Sequence, residues 1–214
     1  MSALPCDALL CDIDGVLRLW DPDGMTGLDR KYGLPPGTLF ATAFHGESAL
    51  AAVTGAMTDE EWRVAIAASL AGACGSADRA AELVAEWGRQ AARVDEEVRG
   101  LLLAVRRRVP VVLVSNATTR LEADLAALGL SDVADHVVNT SRIGAAKPDP
   151  RVYHIAAERA GAPPARCLFV DDTAENVAAA VALGMTGLHY RRAGQLRRAL
   201  GPLVPAPRAP SGRD

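Results

Sequence analysis

The sequence predicts an α/β fold, a mostly parallel sheet flanked by helices, with a helical insertion after the first strand. Three observations carry this. Short apolar runs alternate with amphipathic segments of helix length from about residue 93 onward, the pattern of βαβ units. Three of the apolar runs end in polar tips: Asp12 with Asp14, Ser115 with Asn116, and Asp171 with Asp172. Between the first two runs, from Thr38 to about Ala92, only helical periodicity is present.

The bulk properties suit that class. A chain of 214 residues suits one domain, or one core domain with a modest insertion. Half the residues are hydrophobic but only 4% are aromatic, so an aliphatic core of helices packed on a sheet is expected. A net charge of −3 gives no basic field for a phosphate backbone, and nucleic acid is not an expected partner. No stretch has the length of apolar chain that a membrane span needs, and Met1 to Cys6 lacks a signal-like core, so neither membrane nor export is expected and a cytoplasmic location is. Cys6, Cys11, Cys74 and Cys167 form no CxxC pair and read as reduced thiols, with Cys11 and Cys167 acting as small hydrophobes inside predicted strands.

Taken in order, Ala8 to Cys11 is a buried strand that runs into Asp12-Ile13-Asp14-Gly15-Val16. On a strand, Asp12 and Asp14 share a face, so the backbone must turn beside them, and Gly15 permits the turn. A loop rich in proline and glycine follows, with at most a short helix near Thr26 to Tyr32. In the insertion, Thr58 and Glu61 make a capping box, and Ser76 caps the next helix. A helix from Asp95 to Arg107 precedes the β-branched run Val109 to Val114. Thr119 and Glu122 are expected to form another capping box, opening a helix that Gly129 stops. A short strand at His136 to Val138 leads to the loop Asn139 to Pro150, and Asp149 caps a helix beginning with Pro150. Cys167 to Val170, a helix from Ala174 to Leu183, and a strand from Thr186 to Tyr190 complete the alternation. The Pro-rich tail from Gly201 to Asp214 is expected to be a mobile end.

In a parallel sheet the polar strand tips share one edge, where open α/β folds place their ligands. Four carboxylates there repel one another unless some hold protons or a cation sits among them. Oxygen ligands without His or Cys favour Mg²⁺. Lys147 is notable because only it and Lys31 are lysine among 23 basic residues, which suggests a site that needs a compact charge. Ser115 and Asn116, just ahead of a helix, offer a hydroxyl and N–H groups to an anion. A carboxylate nucleophile, a second carboxyl for proton transfer, a metal, a lysine and N–H donors together suit phosphoryl transfer.

Asp-Ile-Asp-Gly-Val, Ser115-Asn116-Ala117-Thr118, Lys147-Pro148-Asp149-Pro150 and Phe169-Val170-Asp171-Asp172-Thr173-Ala174-Glu175-Asn176, in that order, resemble the four motifs of the haloacid dehalogenase-like (HAD) hydrolase superfamily, from Asp12 to Asn176. The resemblance implies a Rossmann-like HAD core over 1–17 and 93–200, a C1-type helical cap over 18–92, and a tail over 201–214. It implies Asp12 as nucleophile, Asp14 as general acid and then base with its backbone carbonyl on Mg²⁺, and Ser115, Asn116 and Lys147 on the phosphoryl group. Asp12, Asp14, Asp171 and Asp172 form the implied metal site, with Asp172 the direct ligand of the acidic pair. The expected activity is Mg²⁺-dependent hydrolysis of a small phosphorylated metabolite, in a subgroup that resembles sugar-phosphate phosphatases. The rivals are a 2-haloacid dehalogenase and a non-catalytic binding protein on the same fold; Asp14, where dehalogenases carry a Tyr-type residue, argues for phosphate. Asn176 departs from the further acid many relatives carry. In the insertion, His45, Glu47, Arg63, Trp62 and Trp87 are candidates to face substrate, with a core or surface role the simpler expectation for each.

Overall fold

The structure, a computed structural model, describes residues 6–204. Its centre is a parallel five-stranded sheet. The strands are β1 (Ala8–Cys11), β4 (Val111–Ser115), β5 (His136–Asn139), β6 (Cys167–Asp171) and β7 (Thr186–His189), and the order across the sheet is β5-β4-β1-β6-β7. β1 lies in the middle, with Cys11 opposite Leu113 on one side and Val170 on the other. The tips of β1, β4 and β6 therefore meet at one edge, as the sequence predicts.

Alternation along β1 divides the core. Leu9 and Cys11 join an apolar cluster with α6 (Glu96–Arg106), α7 (Leu121–Ala127) and α11 (Ala193–Ala199). Ala8 and Leu10 face the opposite cluster, with α9 (Pro150–Arg159) and α10 (Ala174–Ala182). Strands buried on both faces explain the continuous apolar runs.

The insertion holds α1 (Gly24–Tyr32), α2 (Thr38–Phe44), α3 (Glu47–Val53), α4 (Asp59–Cys74) and α5 (Ala77–Gly88). They gather around their own cluster, which includes Leu39, Trp62, Ile66, Leu70 and Leu83. Both expected caps form: Thr58 and Glu61 make the capping box of α4, and the Ser76 hydroxyl accepts from the N–H of Arg79. Where the chain leaves and re-enters the core, β2 (Arg18–Leu19) and β3 (Arg93–Val94) pair antiparallel. Two-residue strands are too short to leave a periodic signal, and these were not predicted.

Three further expectations need correction. Thr119 does not cap α7; its hydroxyl accepts from the N–H of Asp59 in the insertion, while Glu122 engages Asn139 and Arg142. The loop after β5 contains a one-turn helix, α8 (Thr140–Ile143), capped by Asn139, which accepts from the N–H of Ser141. The tail begins packed rather than free, because Leu203 is buried in the core cluster with Leu200 and Leu196; the rest of the tail, 205–214, lies outside the described residues. α11, also unforeseen, supplies that packing.

Candidate active site

The turn after β1 sets the site. The Ile13 carbonyl accepts from the N–H groups of Val16, Leu17 and Arg18, and Gly15 sits at φ +80°, where a side chain is strained. A Cβ at Gly15 would lie 2.1 Å from Asp172 Oδ2, so glycine is required there twice over, by conformation and by space. The turn sends Asp12 and Asp14 to different partners.

Asp12 is buried, and its Oδ1 accepts from Lys147 Nζ at 2.8 Å. The same ammonium donates to Asp171 Oδ2 at 2.7 Å and to the Val114 carbonyl at 3.1 Å, so its three protons are all used. Lys147 is held in turn by Asn116, whose side-chain amide donates to the Lys147 carbonyl and accepts from its N–H. Asn116 thus positions the lysine loop through its side chain, which leaves its backbone for other contacts. Ser115 closes β4 and is buried beside them.

Asp171 is fully buried and accepts four hydrogen bonds: one from Lys147, one from the Thr173 N–H and two from Asn176. Asn176, the departure from the motif, therefore orients this carboxylate. Asp172 is exposed, and its carboxylate accepts only from the Thr173 hydroxyl among the described hydrogen bonds. Oxygens of Asp12, Asp171 and Asp172 lie within 4.8 Å of one another. This all-oxygen donor set fits a hard divalent cation, with Asp12 and Asp172 the members left with free acceptor capacity.

Electrostatics follow from burial. Desolvation pushes the Asp12 carboxyl up to about 7, against the pull of the Lys147 ammonium, with the Asp171 charge adding to the rise. Lys147 is disfavoured by burial, but Asp12 and Asp171 outweigh that and hold its ammonium above the ordinary lysine range. Burial and the Asp171 charge also raise Asp172. Excess negative charge at this edge is a second reason for a cation.

Asp14 does not join the acidic group. Its two oxygens accept from Arg18 Nε at 2.7 Å and Nη2 at 2.8 Å, and Oδ1 also accepts from Trp20 Nε1 at 2.7 Å. Arg18 is buried and reaches Asp124 as well. Neither Arg18 nor Trp20 was singled out from the sequence; the only signal was an arginine four residues after an aspartate, too common to interpret without the turn.

The insertion meets this edge through Asp59, which accepts from Thr118 and from Arg63. Gly55, at φ +76°, passes so close to the Ser141 carbonyl that a Cβ would lie 2.0 Å from it. Of the candidates in the insertion, Trp62 is core and donates to the Ala43 carbonyl; Arg63 packs over the Trp87 ring; His45 is exposed beside Phe40.

A family model described as haloacid dehalogenase-like hydrolase matches residues 6–184. The chain belongs to this family. Among HAD relatives, a phosphatase of Mycobacterium tuberculosis is 40% identical over 96 residues, 44% of this chain and 44% of its own length. The chain thus spans less than half of that relative. A HAD family enzyme of Bacteroides thetaiotaomicron, solved with magnesium and inorganic phosphate, shares the fold at a TM-score of 0.69 and 22% identity, over 87% of this chain and 94% of that one. L-2-haloacid dehalogenase of Xanthobacter autotrophicus, with chloropropionic acid covalently bound, is similar at a TM-score of 0.62 and 22% identity, over 94% of this chain and 85% of that one. Both are likenesses of fold. Among the described residues no helix is long and apolar enough to cross a membrane.

Proposed function

We propose that this HAD hydrolase is a Mg²⁺-dependent phosphatase acting on a small phosphorylated metabolite through an aspartyl-phosphate, with residues 18–92 as a cap over the site. The observation that carries the reading is the buried ammonium of Lys147 between Asp12 and Asp171, beside the exposed carboxylate of Asp172. That arrangement holds one carboxylate ready for attack while offering positive charge to a phosphoryl group. The named phosphatase among the relatives, and the magnesium and phosphate bound by the Bacteroides enzyme, support it.

In the proposed reaction an Asp12 oxygen attacks phosphorus, and the bond from phosphorus to the leaving oxygen breaks. Asp14 gives that oxygen a proton. Water then attacks phosphorus, Asp14 takes its proton, and the bond to Asp12 breaks to free inorganic phosphate and restore both side chains. Ser115 and the backbone after it hold the phosphoryl oxygens, and Lys147 neutralises charge on them. A bound Mg²⁺, held by Asp12, Asp172 and the Asp14 backbone with Asp171 behind them, supplies further charge neutralisation. Asp14 is paired with Arg18 and Trp20, so its proton transfer requires that pairing to open.

The dehalogenase fold-relative makes haloacid hydrolysis the second reading. A carboxylate at Asp14 and three clustered acids favour phosphate over it. The test is hydrolysis of a generic aryl phosphate with and without Mg²⁺, beside Asp12→Asn and beside halide release from 2-haloacids. Phosphate release that needs Mg²⁺ and is lost in the variant supports the proposal; halide release without phosphate release overturns it.

A further inference from the structure

We propose that Trp20 is a specificity residue, and that the phosphomonoester this site takes carries a flat, unsaturated leaving group that stacks on the Trp20 indole. The inference rests on the phosphatase reading, in which Asp14 protonates the leaving oxygen.

Three observations converge on Trp20. First, its place: Nε1 is 2.7 Å from Asp14 Oδ1, so the ring stands beside the group that delivers the leaving-group proton. Any leaving group whose oxygen Asp14 reaches has its next atoms within a side chain's length of this ring. Second, its exposure: Trp20 is 47% exposed, whereas Trp62 is buried at 5% and Trp87 packs edge-on against it. Trp20 belongs to none of the three apolar clusters, so folding gains little from keeping an indole there. Third, its preparation: the Arg18 guanidinium lies over the ring, 5.2 Å from its centroid, and Arg18 is itself buried and doubly bonded to Asp14. One face of the indole is thus covered by a fixed cation and the ring is tethered at its N–H, so its orientation is set before a ligand arrives. An aromatic with one face backed, one edge tethered and the remainder open suits a planar group better than a saturated polyol, which would gain hydrogen bonds that an indole face does not offer.

The test compares phenylphosphonate with methylphosphonate, neither of which can be hydrolysed, by calorimetric titration of the full chain in Mg²⁺. It is repeated with Trp20→Leu and Trp20→Phe, and with hydrolysis of phenyl phosphate against glycerol phosphate. The expected result is a preference for the phenyl ligand of about tenfold in the parent chain, kept by Trp20→Phe and lost by Trp20→Leu. Taking the ratio of two ligands within each variant cancels any common effect of the lost N–H on Asp14. Equal binding of the two phosphonates, or a preference that survives in Trp20→Leu, overturns the proposal and leaves the phosphatase reading intact if both esters are hydrolysed. Absence of phosphonate binding together with absence of hydrolysis overturns both.

Discussion

Removing the Lys147 ammonium is the perturbation with the largest calculable effect. In Lys147→Met the stem is retained and the charge lost, so Asp12 and Asp171 are left facing one another in a buried site. At 2.7–2.8 Å and an effective dielectric constant of about 20, each ion pair contributes about 6 kcal/mol gross. Desolvation of the three groups offsets much of this, and deleting one partner of a buried pair destabilises proteins by about 3–5 kcal/mol. For a domain of this size that is a fall in melting temperature of roughly 6–20 °C. The assay is urea and thermal unfolding of both proteins, with and without Mg²⁺. The deficit should shrink as pH falls toward about 5, because the Asp12 carboxyl, raised by burial in the folded state, then takes up a proton that the unfolded chain does not. Mg²⁺ should stabilise the variant more than the parent, since it replaces part of the missing positive charge. A deficit below about 1 kcal/mol in metal-free buffer at neutral pH would refute the reasoning, since it would mean that the bridging ammonium does not hold the two acids together.

Other predictions follow from neighbouring contacts. Asn176→Leu removes both amide hydrogen bonds to Asp171 and should destabilise the fold by about 1–3 kcal/mol, measured by urea unfolding. Gly15→Ala places a methyl against Asp172 and forces a positive φ on a side chain, so the Mg²⁺ concentration for half-maximal activity should rise more than the KM for substrate. Burial holds the Asp12 carboxyl near about 7, and a cation must displace its proton; Mg²⁺ affinity measured by titration calorimetry should therefore fall about tenfold from about pH 8 to about pH 6. Thr58→Ala breaks the capping box of α4 and should destabilise the insertion by about 1 kcal/mol, seen as faster amide exchange in α4.

The parts of this fold that were legible are those with a periodic or chemical signature. Continuous apolar runs identified β1, β4 and β6 because a parallel sheet buries both faces. The caps of α4, α5 and α9 were legible because a Ser, Thr or Asp must bond a free N–H within three residues. The same rule misled at Thr119, where the insertion brings the Asp59 N–H, a competing donor invisible in local sequence. At the site, Lys147 stood out because only it and Lys31 are lysine among 23 basic residues, and the structure buries it between two acids. Asp14 was expected among the clustered carboxylates because the polar strand tips share one sheet edge, but the turn at Gly15 carries it to Arg18. Asn176 stood out only as a departure from the further acid of the motif; that it orients Asp171 depends on which face of α10 meets the end of β6, which local sequence does not show.

The central claim is that Asp12 carries the phosphoryl group. The most direct measurement is rapid quenching of the protein with substrate and Mg²⁺, followed by peptide mass spectrometry with hydroxylamine cleavage as a check for an acyl phosphate. The account predicts a hydroxylamine-sensitive phosphoryl group on Asp12 that forms and decays at the rate of phosphate release and is absent from Asp12→Asn. Phosphate release without any modified peptide under the same quench, or a phosphoryl group on another residue, would contradict it.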